Sequence, residues 1–439
     1  AVHRAGQALM LGDTSATVTY ARRALDLLQG GDHLGHGAAA ALIGLASWAA
    51  GNLEAAHDAY ADCMASMHRA GHVSDMLGCA IALADIRMVQ GRLGEAMRIY
   101  EQALQLAPEQ GGSVPRGTAD MYVGMSVLHR ERGDLETATQ DLLRSQELGA
   151  HTGLPQNRYR WRVAMARIRE AEADLGGALD LLDEAERLYV GDFFPNVRPV
   201  PAVRARVWIA QGRLDDALGW ARERGLSVGD DLSYLREFEH VTLARALLGR
   251  NGIERAQRSL DEVTSFLDRL LHAAEDGDRT GSVIEILVLE ALAHQIRGDI
   301  PAALRPLDRA LALAEPEGYV RIFVDERAPM ATLLTAAAKR GIAPDYARRL
   351  LTAFGPTDDR TSAADGLVEP LSARERDVLR LLATDLSGPE IARELVVSLN
   401  TVRTHTNRIF AKLGVNNRRA AVRRAGELDL LSRDRHRHA

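Results

Sequence analysis

The stretch "GNLEAA", residues 51–56, is one copy of a short pattern that decides how most of this chain folds. It returns as "GRLGEA" at 91–96, "GDLETA" at 133–138, "ADLGGA" at 173–178, "GRLDDA" at 212–217, "NGIERA" at 251–256 and "GDIPAA" at 298–303. The successive spacings are 40, 42, 40, 39, 39 and 47 residues, and a degenerate copy, "GDTSAT", begins at Gly12. Recurrence at a period in this range is the sequence signature of a solenoid. The small first residue can take the left-handed conformation that ends one helix. A new helix then starts, with Leu and Ala three apart on one face. Flanking segments such as "AAAALIGLASWAA" keep helical periodicity. Each unit is therefore read as a helical hairpin of about 40 residues that cannot bury its face alone and stacks on its neighbours. Tyr60, Trp48, Tyr100 and Trp161 are expected in the core of this stack.

Composition agrees with closely packed helices. The chain has 439 residues, 46 % of them hydrophobic but only 5 % aromatic, and the apolar ones are mostly Ala, Leu and Val. No apolar run is long enough to span a membrane, and the start has no signal-peptide pattern. Two cysteines, Cys63 and Cys79, support neither a disulfide framework nor a thiolate zinc site, so a cytoplasmic protein is expected. The first residue is Ala rather than Met, and the opening already reads as helix. On that ground a fragment of a longer protein is expected.

Catalytic patterns are missing. Of the 54 basic residues only Lys339 and Lys412 are lysine, and neither stands in a P-loop context, so nucleotide hydrolysis by that route is excluded for the sequence as given. No Gly-x-Ser-x-Gly elbow, His-Glu-x-x-His pair or Cys-x-x-Cys pair occurs. The chain is read as not an enzyme, with no cofactor and no metal site. His436 and His438 in the tail are read as part of a basic tail.

Charge divides the chain. From Pro370 to Ala439 there are 14 Arg/Lys against 8 Asp/Glu, net +6, whereas the whole chain carries −6. A basic module on an acidic body points to two parts with different partners. The polar segment "FGPTDDRTSAADGLVEP", residues 354–370, reads as a linker. Ser372 with Glu375, and Ser387 with Glu390, are capping-box pairs that open two short helices. Pro389 sits in the first turn of the second. Val396 and Val397 make a tight turn and Ser398 caps a third helix, which gives a helix-turn-helix. On that third helix Val402, Thr406, Ile409, Phe410 and Leu413 share one stripe. Arg403, Thr404, Asn407 and Arg408 lie on the opposite side. No Asp or Glu occurs from Leu395 to Gly426. Such a face enters a major groove without charge penalty, and Arg and Asn can pair bidentately with guanine and adenine. Thr401, Arg408 and Lys412 are better placed for phosphates. A fourth helix adds Arg418, Arg419, Arg423 and Arg424.

The run "LSARERDVLRLLA…EIARELVVSLNTVRTHTNRIFAKLGVNNRRAAVRRA" resembles the LuxR-type helix-turn-helix over about 60 residues. Its landmarks here are Glu375, Val378, Leu379, Ile391, Ala392, Leu395, Ser398, Thr401, Val402, His405, Lys412, Leu413, Gly414 and Arg418. The resemblance implies that Arg403, Thr404 and Asn407 read bases, although a basic residue is common in the family where Asn407 stands. It also implies that Thr401, Arg408, Lys412, Arg418 and Arg419 meet phosphates, and that the fourth helix pairs two copies as a homodimer. The repeats and "EGYVRIFVDERAPMATLL" are similar to the large, MalT-like ATP-binding regulators of that type, which resemble tetratricopeptide proteins in their helical sensor. This chain departs from them in having no nucleotide-binding module, so ATP is implied only for a longer parent protein. The fold expected is all-α: a tetratricopeptide-like solenoid over 1–352, a linker over 353–370, a four-helix LuxR-type domain over 371–432 and a basic tail over 433–439. The function expected is a sequence-specific transcriptional regulator, an activator by resemblance. Its expected partners are double-stranded promoter DNA, RNA polymerase and an effector or protein on the solenoid, with no membrane and a place at the nucleoid. A helical-repeat interaction scaffold is the alternative, but it leaves the basic module unexplained.

Overall fold

A computed structural model describes residues 1–29, 31–107, 114–191, 194–254, 257–354, 373–384, 386–395, 402, 405, 406, 409, 410, 412, 413, 415 and 417–427, without the side chains of 251–254, 257–259, 373, 374, 426 and 427. Contacts divide the chain into two compact units, 1–355 and 356–439. No strand occurs among the described residues.

The first unit is a stack of antiparallel helices. These are α1 (Val2–Met10), α2 (Thr14–Leu27), α3 (His33–Ala49), α4 (Leu53–Arg69), α5 (Val73–Val89), α6 (Leu93–Leu106), α7 (Thr118–Glu131), α8 (Leu135–Glu147), α9 (Asn157–Ala171) and α10 (Leu175–Leu188). They continue as α11 (Val200–Ala210), α12 (Leu214–Glu223), α13 (Glu237–Glu254), α14 (Gln257–Asp276), α15 (Thr280–Ile296), α16 (Ile300–Ala314), α17 (Arg321–Val324), α18 (Arg327–Lys339) and α19 (Pro344–Ala353).

The recurring hexapeptide marks the hairpin turns. Gly51 takes φ 81°, Gly133 φ 84° and Ala173 φ 63°, each in the left-handed region that lets the chain reverse. After Gly51, the Asn52 N–H returns to the Ser47 carbonyl at 2.9 Å, and Asp134 does the same to His129, which satisfies carbonyls left open at the helix end. The second position of the pattern, which carried no assignment in the sequence, is the N-cap of the next helix. Asp13, Asn52, Asp134, Asp174 and Asp299 each accept an N–H three residues on. The sixth position is the contact between helices: Ala56, Ala96, Ala138, Ala178 and Ala303 are all fully buried.

One copy departs from expectation. Helix α13 continues to Glu254, so the chain stays helical across the first four residues of "NGIERA" instead of turning at Asn251. Asn251 lacks the freedom of a Cβ-free residue, although Ala173 shows that Gly is not indispensable at this position. Trp48, Tyr60 and Tyr100 lie in the main core as expected, and Trp161 packs half-buried with its indole N–H on the Leu142 carbonyl at 2.8 Å.

Remote repeats also touch. The Val320 N–H donates to the Glu131 carbonyl at 2.9 Å, and the Trp48 indole N–H donates to Tyr234 Oη at 2.8 Å. Arg130 reaches Asp325 at 2.5 Å. A Cβ on Gly133 would come within 2.9 Å of Val320 Cγ1. The stack therefore winds far enough for early and late hairpins to meet around a shared interior.

The second unit contains α20 (Ala373–Leu382), α21 (Gly388–Glu394) and α22 (Arg418–Glu427), with residues 402, 405, 406, 409, 410, 412 and 413 also helical. Val378, Leu379, Ile391, Val402, Ile409 and Leu413 form its core with Leu382, Ala392, Ala421 and Ala425.

Candidate nucleic-acid interface and solenoid cavity

The stripe read from the sequence seats the third helix of the second unit. Val402, Ile409 and Leu413 are buried, whereas Thr406 and Phe410 are half-buried at its margin. Thr406 spends its hydroxyl on the Val402 carbonyl at 2.8 Å. At the start of α21, Glu390 accepts both the N–H of Ser387, at 2.8 Å, and its hydroxyl, at 2.5 Å. Those bonds hold the Glu390 carboxyl below its ordinary range. Ser372, the cap expected for α20, lies outside the described residues, as do Thr401, Arg403, Thr404, Asn407 and Arg408.

Three expected phosphate contacts are described, and two of them have work inside the domain. Lys412 Nζ sits 2.9 Å from Glu375 Oε2, with the two side chains 14 % and 4 % exposed. Glu375, the expected capping partner of Ser372, is also a buried anion that anchors the third helix to α20. Arg418 lays its guanidinium over the end of α20. Its Nε donates to the Leu382 carbonyl at 2.8 Å, Nη1 to Leu386 at 2.7 Å and Nη2 to Thr384 at 2.6 Å. A cation there meets open carbonyls and the negative end of the helix dipole. Arg419 and Arg423 are exposed on α22. Sequence reasoning named Lys412 and Arg418 only as phosphate contacts, because charge alone does not show which cation also has a buried carboxylate or a helix end to satisfy.

The first unit holds a cavity of about 410 Å³ between its early and late hairpins. Eight carboxylates and six guanidiniums line it, together with Trp48, Tyr100, Tyr159, Tyr234 and Phe238. Most of the charges are paired. Arg130 meets Glu131 at 2.9 Å and Arg167 meets the same carboxylate at 2.9 Å. Glu285 accepts Arg206 at 2.8 Å and Arg245 at 2.9 Å. Arg245 also pairs with Glu326, and Arg160 with Asp85. Burial pushes Glu285 up, but Arg206 and Arg245 more than offset it and hold the carboxyl down to about 2. Asp120 is pushed up to about 6 by burial, although it accepts the Leu154 N–H at 2.8 Å. The sequence offered no sign of this site, because its residues come from six or more helices and share no spacing.

This core, under a third helix whose sequence carries no Asp or Glu, is that of a helix-turn-helix DNA-binding domain, and the solenoid is of the tetratricopeptide class. Residues 369–425 match the family model described as bacterial regulatory proteins, luxR family, and residues 1–340 match that of the MalT-like TPR region. The chain belongs to the family with a MalT-like TPR region and carries the luxR-type domain of DNA-binding transcriptional regulators. Among solved structures, one described as Naa15/Naa10 bound to HypK-THB is 12 % identical over 98 % of this chain and 77 % of that one, with a TM-score of 0.25, a likeness too low to carry an argument. Among the described residues no helix is long and apolar enough to cross a membrane.

Proposed function

We propose that this chain reads a promoter sequence through its third C-terminal helix and is controlled by an effector held in the solenoid cavity. Arg403, Thr404 and Asn407 are the base readers, and Thr401, Arg408 and Arg419 contact phosphates. Lys412 and Arg418 act mainly by fixing the third and fourth helices, and add to the positive potential that draws the duplex in. The domains are 1–352, a linker over 353–370, the reader over 371–432 and a tail. The protein works as a homodimer in the cytoplasm, activates through RNA polymerase and catalyses no reaction itself.

The observation that supports the reader most is the burial of Val402, Ile409 and Leu413, the stripe that the helical period of the sequence sets opposite Arg403 and Arg408. The test begins with selection of a binding site from random duplexes by the full chain. Affinity for that site then falls with salt, with a log–log slope of roughly −0.9 per neutralised phosphate. Arg403→Ala costs about 1–3 kcal/mol there and relaxes preference at one base pair. A flat salt response, or an Arg403→Ala variant that selects the same site with the same affinity, defeats the proposal.

A further inference from the structure

The charges on the cavity wall do not cancel evenly. Six of the eight carboxylates there are bound to arginines. The other two, Asp120 and Glu170, are bound to no arginine among the described residues, and both are pushed up, in each case first by burial. Five of the six guanidiniums have a carboxylate within reach. The sixth, Arg198, has none among the described residues. Its side chain leaves the segment before α11, is exposed, and comes within 5.8 Å of the Phe238 ring centroid.

Arg198 is not alone in its surroundings. Arg206 lies over the same ring at 3.7 Å and is fixed by Glu285 and by the Thr242 hydroxyl at 2.9 Å. Burial pushes Arg206 down to about 10, and Arg245, Arg167 and Arg198 push the same way. Arg167 is lowered by burial, then by Arg130 and Arg198. Three guanidiniums thus line one region of the cavity: Arg167 and Arg206 are held by carboxylates, and Arg198 has none within ion-pair distance among the described residues. Mutual repulsion of this kind is relieved by an oxyanion, and a guanidinium fork binds carboxylate or phosphate in a bidentate manner. Aliphatic and aromatic side chains around it, including Val203 and Tyr234, give a place for the uncharged body of a ligand.

We propose that the solenoid cavity binds a small organic anion whose carboxylate or phosphate is taken by Arg198, with Arg167 and Arg206 beside it. This rests on the reading of the cavity as the effector site and specifies the ligand's charge.

The test uses the full chain and two matched pairs of probes: benzoate with benzamide, and phenyl phosphate with benzyl alcohol. Binding is read by ligand-observed NMR and by intrinsic tryptophan fluorescence, and DNA binding is measured on the same preparations. Each anion binds at millimolar concentration and at least about ten-fold more tightly than its neutral partner, the range of a charge-assisted hydrogen bond. Arg198→Ala removes that difference and leaves the melting temperature of the free protein unchanged. The pair with the larger ratio tells carboxylate from phosphate. Neutral probes binding as well as the anions overturn the anion site but leave a cavity effector standing. No anion binding at these concentrations, or an Arg198→Ala variant that keeps the preference, overturns the proposal whatever the DNA result.

Discussion

Lys412 and Glu375 set up a decisive experiment, because one lysine has two candidate roles. In the structure Lys412 Nζ is 2.9 Å from Glu375 Oε2, and the carboxylate is almost wholly buried. Replacing Lys412 by Met keeps the side-chain volume and takes the lysine's charge away from that carboxylate. A buried carboxylate that loses a cation can take up a proton, which at pH 7 costs about 1.36 kcal/mol for each unit between 7 and an ordinary pKa of roughly 4.3. That sets an upper bound, so Lys412→Met destabilises the C-terminal domain by up to about 3–4 kcal/mol at pH 7, within the range for broken buried pairs. In the variant the folded carboxyl has its pKa raised, so stability is greatest below the unfolded pKa and is lost as pH rises. The penalty accordingly shrinks to about 1 kcal/mol near pH 5. The double variant Glu375→Leu/Lys412→Met removes both charges and returns to within about 1 kcal/mol of the parent. Urea titration of the full chain, read by hydrogen exchange in peptides from residues 373–427, measures all three. DNA binding by the double variant then isolates the other role: its salt slope stays at the parent value if Lys412 is structural, and falls by roughly 0.9 if Lys412 neutralises a phosphate. A single variant as stable as the parent at pH 7, or a double variant less stable than the single, refutes the reasoning.

Three further outcomes are expected. Ala173 holds φ 63° where Gly12, Gly51, Gly91, Gly133, Gly212 and Gly298 open the other turning copies of the hexapeptide, so Ala173→Gly raises stability by about 1 kcal/mol, seen as a higher urea midpoint with unchanged slope. Gly124 lies against Tyr100, whose Cζ would be 2.2 Å from an added Cβ, so Gly124→Ala forces α7 and α6 apart and costs about 1–3 kcal/mol, with Tyr100 amide exchange accelerated. Glu290 has a buried Oε1 without a hydrogen-bond partner and is pushed up to about 7, first by burial and then by Asp268. Its contribution favours folding below the unfolded pKa and is lost as pH rises toward 7, so Glu290→Gln raises the melting temperature at pH 8, by at most about 3 kcal/mol in stability, and leaves it little changed at pH 4.

The hairpins were legible because one local signal, a small residue followed by Leu and Ala, carries turn, cap and contact within six residues. The meaning of its second position emerged only from Asp134 and its fellows bonding three residues ahead. The C-terminal stripe was legible for the same reason: Val402, Ile409 and Leu413 are set by helical period alone. What depends on distant parts of the chain was not legible. Glu375 showed its ion pair only once Lys412, 37 residues on, was placed beside it. Arg198 looked like any of the chain's many arginines, since Phe238, 40 residues on, meets it only after the stack has wound round.

That winding also limits how the protein can change in length. Repeat arrays commonly gain or lose a unit with little effect beyond the junction, because each unit meets only its neighbours. Here Val320 is bonded to Glu131, Trp48 to Tyr234 and Arg130 to Asp325. Inserting or deleting one hairpin between residues 135 and 233 would rotate the two halves of each bond past one another. The number of hairpins in that interval is as much a fixed dimension of the protein as the shear of a closed barrel.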